Sequence, residues 1–210
     1  MVVKHVLEAA LDSELFGGPN PDRRAIVILR QRADHCAAAL VQLGLSEEGA
    51  LAEVKKALAR DPLAACQSPI EKIMMAALAF EDWYPFLTIP AAILRPGEKG
   101  MPKGDLVIAP QFPLGPYRLD FLIIGYDEEG RSQKWLNVEC DGDEWHNSTI
   151  FQYQADRERD KFVRACGIEV IRFRGSEIWN DARGCAEEAS LSLKRWRWKQ
   201  WSNASAALSA

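Results

Sequence analysis

The chain has 210 residues, with 48% apolar and 27% charged side chains, the balance of a soluble globular protein of one good-sized domain, or of one domain plus an extension. A net charge of −4 excludes a strongly cationic nucleic-acid coat, though it leaves local patches open. No apolar run approaches the ~20 residues of a membrane span, no cationic leader precedes an apolar stretch at the N-terminus, and the five scattered cysteines include no CxxC pair, so a cytoplasmic protein with reduced thiols and no membrane association is expected.

Residues 1–66 read as a helical extension. Arg24 to Leu43 is rich in Ala, Leu and Val, with Gly44 placed to end a helix. Ser46 followed by Glu47 and Glu48 opens a second helix, the hydroxyl as N-cap and the acids at the positive end of the dipole. Ser68-Pro69-Ile70-Glu71 is a third helix start, with Pro69 at the first helical position and Glu71 three residues after the cap. That helix is expected to run to about Trp83.

From Leu87 the period changes to that of strands. Thr88–Leu94 reads as an edge strand because Pro90 cannot donate to a ladder. Leu106–Ala109 and Tyr117–Ile124 follow as strands, the second interrupted at its centre by Asp120. A carboxylate there is costly unless it meets a cation or several donors. Leu136–Asp141 is the next strand, expected to pair with the Asp120 strand as a hairpin. Alternation along it puts Glu139 and Asp141 on one face and Cys140 on the other. Gly142 then allows a turn that returns Trp145 and His146 over the same place.

A helix is expected from about Thr149 to Cys166, with Ala155, Phe162 and Cys166 on its apolar face and Arg159 on that same stripe. A cation so placed calls for an anionic partner. Ile168–Phe173 is a strand with alternating sides. A last helix starts at Ser176, breaks near Asn180 and Asp181, and resumes to about Trp196. The segment from Lys194 to Trp201 interleaves four cations with three tryptophans and no acid, a composition suited to phosphate contacts and base stacking and equally to a helix end packed on a core. Residues 195–210 are taken as this basic segment and a flexible tail, and 67–194 as the central domain.

Asp120, Glu139 and Asp141, with His146 beyond a turn, make a compact set of oxygen and imidazole donors. Clustered carboxylates favour Mg2+ or Mn2+ over zinc, and a hard cation suits polarisation of a phosphate and activation of a water. Arg159 is placed to stabilise charge on the transferring group. From residue types alone this is a toolkit for phosphodiester hydrolysis.

Residues 69–179 resemble the small endonuclease domains related to very-short-patch repair nucleases, a branch of the PD-(D/E)XK restriction-endonuclease-like superfamily. The resemblance rests on the order and spacing of four motifs: Tyr117-Arg118-Leu119-Asp120-Phe121; Val138-Glu139-Cys140-Asp141-Gly142 with Trp145-His146; Asp156-Arg157-Glu158-Arg159-Asp160; and Gly167-Ile168-Glu169-Val170-Ile171-Arg172-Phe173. It implies an α/β (α+β) fold with a mixed central sheet flanked by helices. It implies that Asp120 and Glu139 are metal acids, that Glu71 is the acid of the preceding helix, and that His146 acts as a base or a phosphate contact. One departure stands out: where the superfamily has lysine two residues after the second acid, this chain has Asp141. Arg159, or second to it Lys161, is expected to carry that lysine's charge.

The expected activity is therefore Mg2+- or Mn2+-dependent hydrolysis of DNA phosphodiester bonds, in repair, restriction or defence, or a mobile-element setting. Asp120, Glu139, Asp141 and the Cys140 carbonyl would hold the metal. Arg157, Lys161, Arg164, Arg172 and Arg174, with Arg195, Trp196, Arg197, Trp198 and Lys199, would contact DNA. The competing readings are a catalytically silent DNA-binding module of the same fold and an interaction subunit of a larger repair or defence assembly; a dimer is compatible with either.

Overall fold

The computed structural model describes residues 23–81, 92–93, 106–126, 133–141 and 150–208, with the backbone alone at 92, 150–153 and 201–208. Three helices come first: α1 (Arg23–Gln42), α2 (Glu47–Leu58) and α3 (Pro69–Leu78). The strand-forming half follows as β1 (Ala92–Ile93), β2 (Leu106–Leu114), β3 (Tyr117–Tyr126) and β4 (Gln133–Asp141). It continues with α4 (Ile150–Ala165), β5 (Glu169–Arg174) and a long α5 (Gly175–Leu208). The sheet order is β1-β2-β3-β4-β5. The two inner pairings, β2 with β3 and β3 with β4, are antiparallel and the two outer ones parallel, so the sheet is mixed.

The helix starts are set by local chemistry. Ser46 accepts from the Gly49 N–H and Ser68 from the Glu71 N–H, each satisfying one of the donors a helix start leaves open. Glu71 does not close a reciprocal box with its own N-cap. It reaches one residue further back to the Gln67 N–H, at 2.8 Å. α3 stops at Leu78, earlier than expected; residues 82–91 lie outside the described part, as do 94–105. α5 is bent at Asp181, whose backbone is non-helical (φ −145°, ψ 68°) and whose carboxylate accepts from the Gly184 N–H, recapping the second half.

β2 runs through Pro110 and Pro113 to Leu114, five residues beyond the expected end. Both prolines keep their places opposite β3, Pro110 facing Phe121 and Pro113 facing Arg118. α5 also outlasts its expected end, continuing as helix through the basic segment to Leu208.

Two apolar clusters sandwich the sheet. The larger joins α1, α2, α3 and the first part of α5 to one sheet face through Phe121, Ile123, Leu136, Val138 and Phe173. Residues of the expected N-terminal extension, among them Leu29, Cys36, Val54 and Leu58, are built into this same core. The Arg32 guanidinium donates to the Glu81 carboxylate at 2.7 Å and to the Phe80 carbonyl at 2.8 Å, with both charged side chains buried. The smaller cluster lies under α4 on the opposite face: Val107, Leu119, Leu122 and Ile124 with Val163 and Ile168.

The inward face of α4 differs from the expected one. Among the described side chains of α4 Val163 is the buried apolar residue, whereas Ala155, Phe162 and, just past the helix, Cys166 are exposed. Phe162 turns sideways onto the β2–β3 turn. Its ring lies 5.4 Å from that of Tyr117, and a Cβ on Gly115 would stand 2.9 Å from its Cζ. Arg159, four residues before Val163, shares the inward face as expected.

Candidate functional site

β3 and β4 pair up to Phe121 with Val138. One step further the same register sets Asp120 opposite Glu139. Val138 enters the large core, so Glu139 turns to the α4 side, where Arg159 meets it; Asp120 stands beside it, near enough for its carboxyl to feel the Glu139 charge. On β5 the residue paired with Glu139 is Arg172. Two acids and an arginine therefore stand in a row across three strands, with Asp141 two residues along from Glu139 on the same face.

Each acid has a defined environment. Glu139 is 2% exposed. One terminal nitrogen of Arg159 lies 2.6 Å from both of its oxygens and also donates to the Arg118 carbonyl at 2.8 Å. The Asn137 amide donates to Glu139 from the same strand. The Cys140 N–H donates to Asp120 at 2.8 Å. Burial, with Glu139 as the largest charge contribution, pushes the Asp120 carboxyl up to about 7, and the bond from Cys140 only partly opposes this. Asp141 is also raised by burial, against the pull of the Arg172 guanidinium 3.3 Å away. Arg172 bonds Asp160 on α4 as well, and the two acids hold its pKa above its ordinary value despite burial.

Glu71 approaches from the other side of the sheet. Its Oε2 accepts from the Gln67 N–H and from the Gln111 side-chain amide at 2.8 Å, and its charge adds to the upward push on Asp120. The same acids and burial raise the thiols of Cys66 and Cys140, which are therefore poor nucleophiles.

Alongside the acids, between α4 and β5, lies an open cleft of about 390 Å3 lined by Asp141, Asp156, Arg157, Asp160, Lys161, Arg164 and Arg172. Arg157, Lys161 and Arg164 recur at i, i+4 and i+7 on the exposed rim, and Asp156 and Asp160 lie half-buried nearer the sheet. Arg174 is exposed at the end of β5.

The basic segment of α5 is elsewhere. Arg197 is buried and donates to the Tyr126 carbonyl, at the end of β3 remote from Asp120. Trp196 is half-buried, and Arg195, Trp198 and Lys199 are exposed. The structure thus brings together Asp120, Glu139, Asp141, Arg159, Arg172 and, through the sheet, Glu71. It does not bring residues 195–199 to them. His146 and Trp145 lie outside the described residues.

Two site residues escaped the sequence. Asn137 is a polar side chain between Leu136 and Val138, 1% exposed, and a buried amide in an apolar strand demands partners just as the Asp120 carboxyl does. Gln111 is buried with φ +54°, between two prolines, and no periodicity announces it.

A mixed sheet with helices on both faces and paired acids on adjoining central strands is the arrangement expected of a restriction-endonuclease-like protein. Comparison with known families agrees at this level: residues 100–193 match the model of a restriction-endonuclease-like family described as REase_MTES_1575. No curated protein and no solved structure matches the chain.

Among the described residues no group of three His, Cys, Asp or Glu side chains converges as a metal site. Asp120 and Glu139 do approach closely enough to disfavour double ionisation, which is the repulsion a divalent cation relieves. Two carboxylates with a main-chain carbonyl, all oxygen donors, suit Mg2+ or Mn2+.

Proposed function

We propose that the chain is a metal-dependent endonuclease hydrolysing DNA phosphodiester bonds, of the PD-(D/E)XK type and related to very-short-patch repair nucleases. The observation that carries this is the approach of Asp120 and Glu139 at adjoining ends of β3 and β4, close enough for the Glu139 charge to raise the Asp120 carboxyl, inside the stretch that matches a restriction-endonuclease-like family. Asp120, Glu139 and the Cys140 carbonyl would hold Mg2+ or Mn2+. The bound cation would supply Lewis acidity toward a phosphate oxygen and a lowered pKa for water.

The chain's own residues do the rest. Asp141, anchored by Arg172, accepts a proton or orients the attacking water, with His146 as the second candidate for that role. Arg159 offsets the negative charge that accumulates when a phosphate meets three acids. Arg157, Lys161 and Arg164 form a cationic rim along α4 that grips the backbone on one side of the scissile bond. Arg172, held by Asp141 and Asp160, positions these groups in preference to gripping phosphate.

The test is conversion of supercoiled plasmid to nicked or linear forms in Mg2+ or Mn2+, against an EDTA control and Asp120→Asn. No metal-dependent cleavage by the wild-type chain would end the endonuclease reading. A second reading, a catalytically silent DNA-binding module, draws on the partners each acid already has: Arg159 and Asn137 for Glu139, the Cys140 N–H for Asp120, Arg172 for Asp141. A gel shift in EDTA without cleavage in metal selects it.

A further inference from the structure

The Glu139–Arg159 pair is unequal. Glu139 has a side chain 3% exposed and is fixed by its strand and by Asn137, whereas Arg159 is 20% exposed and reaches in from a helix whose next turns line the open cleft. Of the two, the guanidinium is the partner that can leave. It now covers both carboxylate oxygens. A divalent cation needs at least one of them, and two positive centres on one buried carboxylate repel strongly because little water screens them. Guanidinium and cation therefore compete for Glu139.

A phosphate in the cleft changes that competition. It offers Arg159 an anionic, bidentate partner one side-chain swing away, on the rim where Arg157 and Lys161 already wait. We infer that Arg159 is a shared counter-charge, neutralising Glu139 until nucleic-acid phosphate draws it off, so that nucleic acid and divalent cation bind with positive coupling. This rests on the metal-nuclease reading above and adds an order to it: substrate opens the metal position. The coupling is reciprocal, so each ligand must tighten the other by the same factor.

The experiment uses the full chain and Mn2+ binding read by electron paramagnetic resonance, with phosphorothioate duplex as a slowly cut substrate. Wild type, Arg159→Met and Asp120→Asn are compared. Without nucleic acid, Arg159→Met is expected to bind Mn2+ at least tenfold more tightly than wild type. Duplex affinity of the wild type is expected to rise at least fivefold with Mn2+, and that of Arg159→Met to be nearly indifferent to it. Arg159→Lys, which keeps a charge on a shorter side chain, should fall between them and covers the case in which the methionine variant is unfolded. Equal or weaker Mn2+ binding by the Arg159 variants, or an unchanged coupling factor, overturns the inference while leaving the metal reading in place. Mn2+ binding by the wild type and both Arg159 variants no tighter than by Asp120→Asn overturns both.

Discussion

Asp120 is held at a cost, and replacing it should make the protein more stable. Its carboxyl is pushed from 3.8 to about 7. A folded-state pKa above the unfolded value means that folding favours the protonated form. The associated stability is fully present below pH 3.8 and is lost as pH rises through 7. At ~1.4 kcal/mol per pH unit the gap corresponds to about 4 kcal/mol as an upper figure. Asp120 is only part-buried, so solvent screening reduces the expectation to about 2 kcal/mol. Asp120→Asn keeps the shape and still offers an oxygen to the Cys140 N–H, but carries no charge. In urea unfolding at pH 8 the variant should therefore be about 2 kcal/mol more stable than wild type, and the advantage should shrink by roughly half at pH 5. Millimolar Mn2+ should narrow the difference at pH 8 by stabilising only the wild type. An advantage absent at pH 8, or equal at pH 5 and 8, would refute the claim that Asp120 and Glu139 share one poorly solvated site.

Arg32→Met removes the nearest cation from the buried Glu81, with Lys194 still 3.8 Å away; a loss of about 3 kcal/mol is expected in the same assay, and a loss below 1 kcal/mol would mean that α1 is docked without this pair. Arg172→Ala leaves the half-buried Asp141 and Asp160 without their shared guanidinium; about 1–3 kcal/mol of stability should go, together with at least tenfold in cleavage rate, and unchanged plasmid nicking would remove Arg172 from the site. Gly125→Val sets a Cβ 2.8 Å from the Leu193 side chain, where α5 crosses β3; thermal unfolding should show about 1–3 kcal/mol of destabilisation from overpacking, with metal-dependent cleavage retained at temperatures where the variant is folded.

What the sequence disclosed was whatever depends on local pattern. Ser46 and Ser68 announce their helices because capping is settled within four residues. The pairing of the Asp120 strand with the Glu139 strand was legible because two strands joined by a short turn-forming stretch pair as neighbours. The break at Asp181 was equally visible as a polar interruption. The misplaced features are those decided by a neighbour. Pro110 and Pro113 close the local pattern at Ala109, yet β2 runs on through both because β3 pairs with it as far as Leu114. Phe162 looks like a core residue until the bare Gly115 gives it another surface. Arg197 reads as part of a basic surface segment, whereas the fold buries it, its Nε–H donating to the Tyr126 carbonyl. Composition likewise does not reveal that Leu29 and Val54, in the helical N-terminal extension, share a core with Phe121.

That last packing of α5 across the end of β3 turns the sheet into a ruler. Asp120 and Tyr126 are six residues apart on one strand, about 20 Å at ~3.3 Å per residue, so the exposed Arg195 and Lys199 are carried at the pole opposite the acids. A double helix advances ~3.4 Å per base pair, and a duplex anchored at the acids would need about six further pairs to feel those cations. On the nuclease reading proposed above, a footprint confined to the α4 cleft would leave oligonucleotide affinity unchanged by Arg195→Ala and Lys199→Ala.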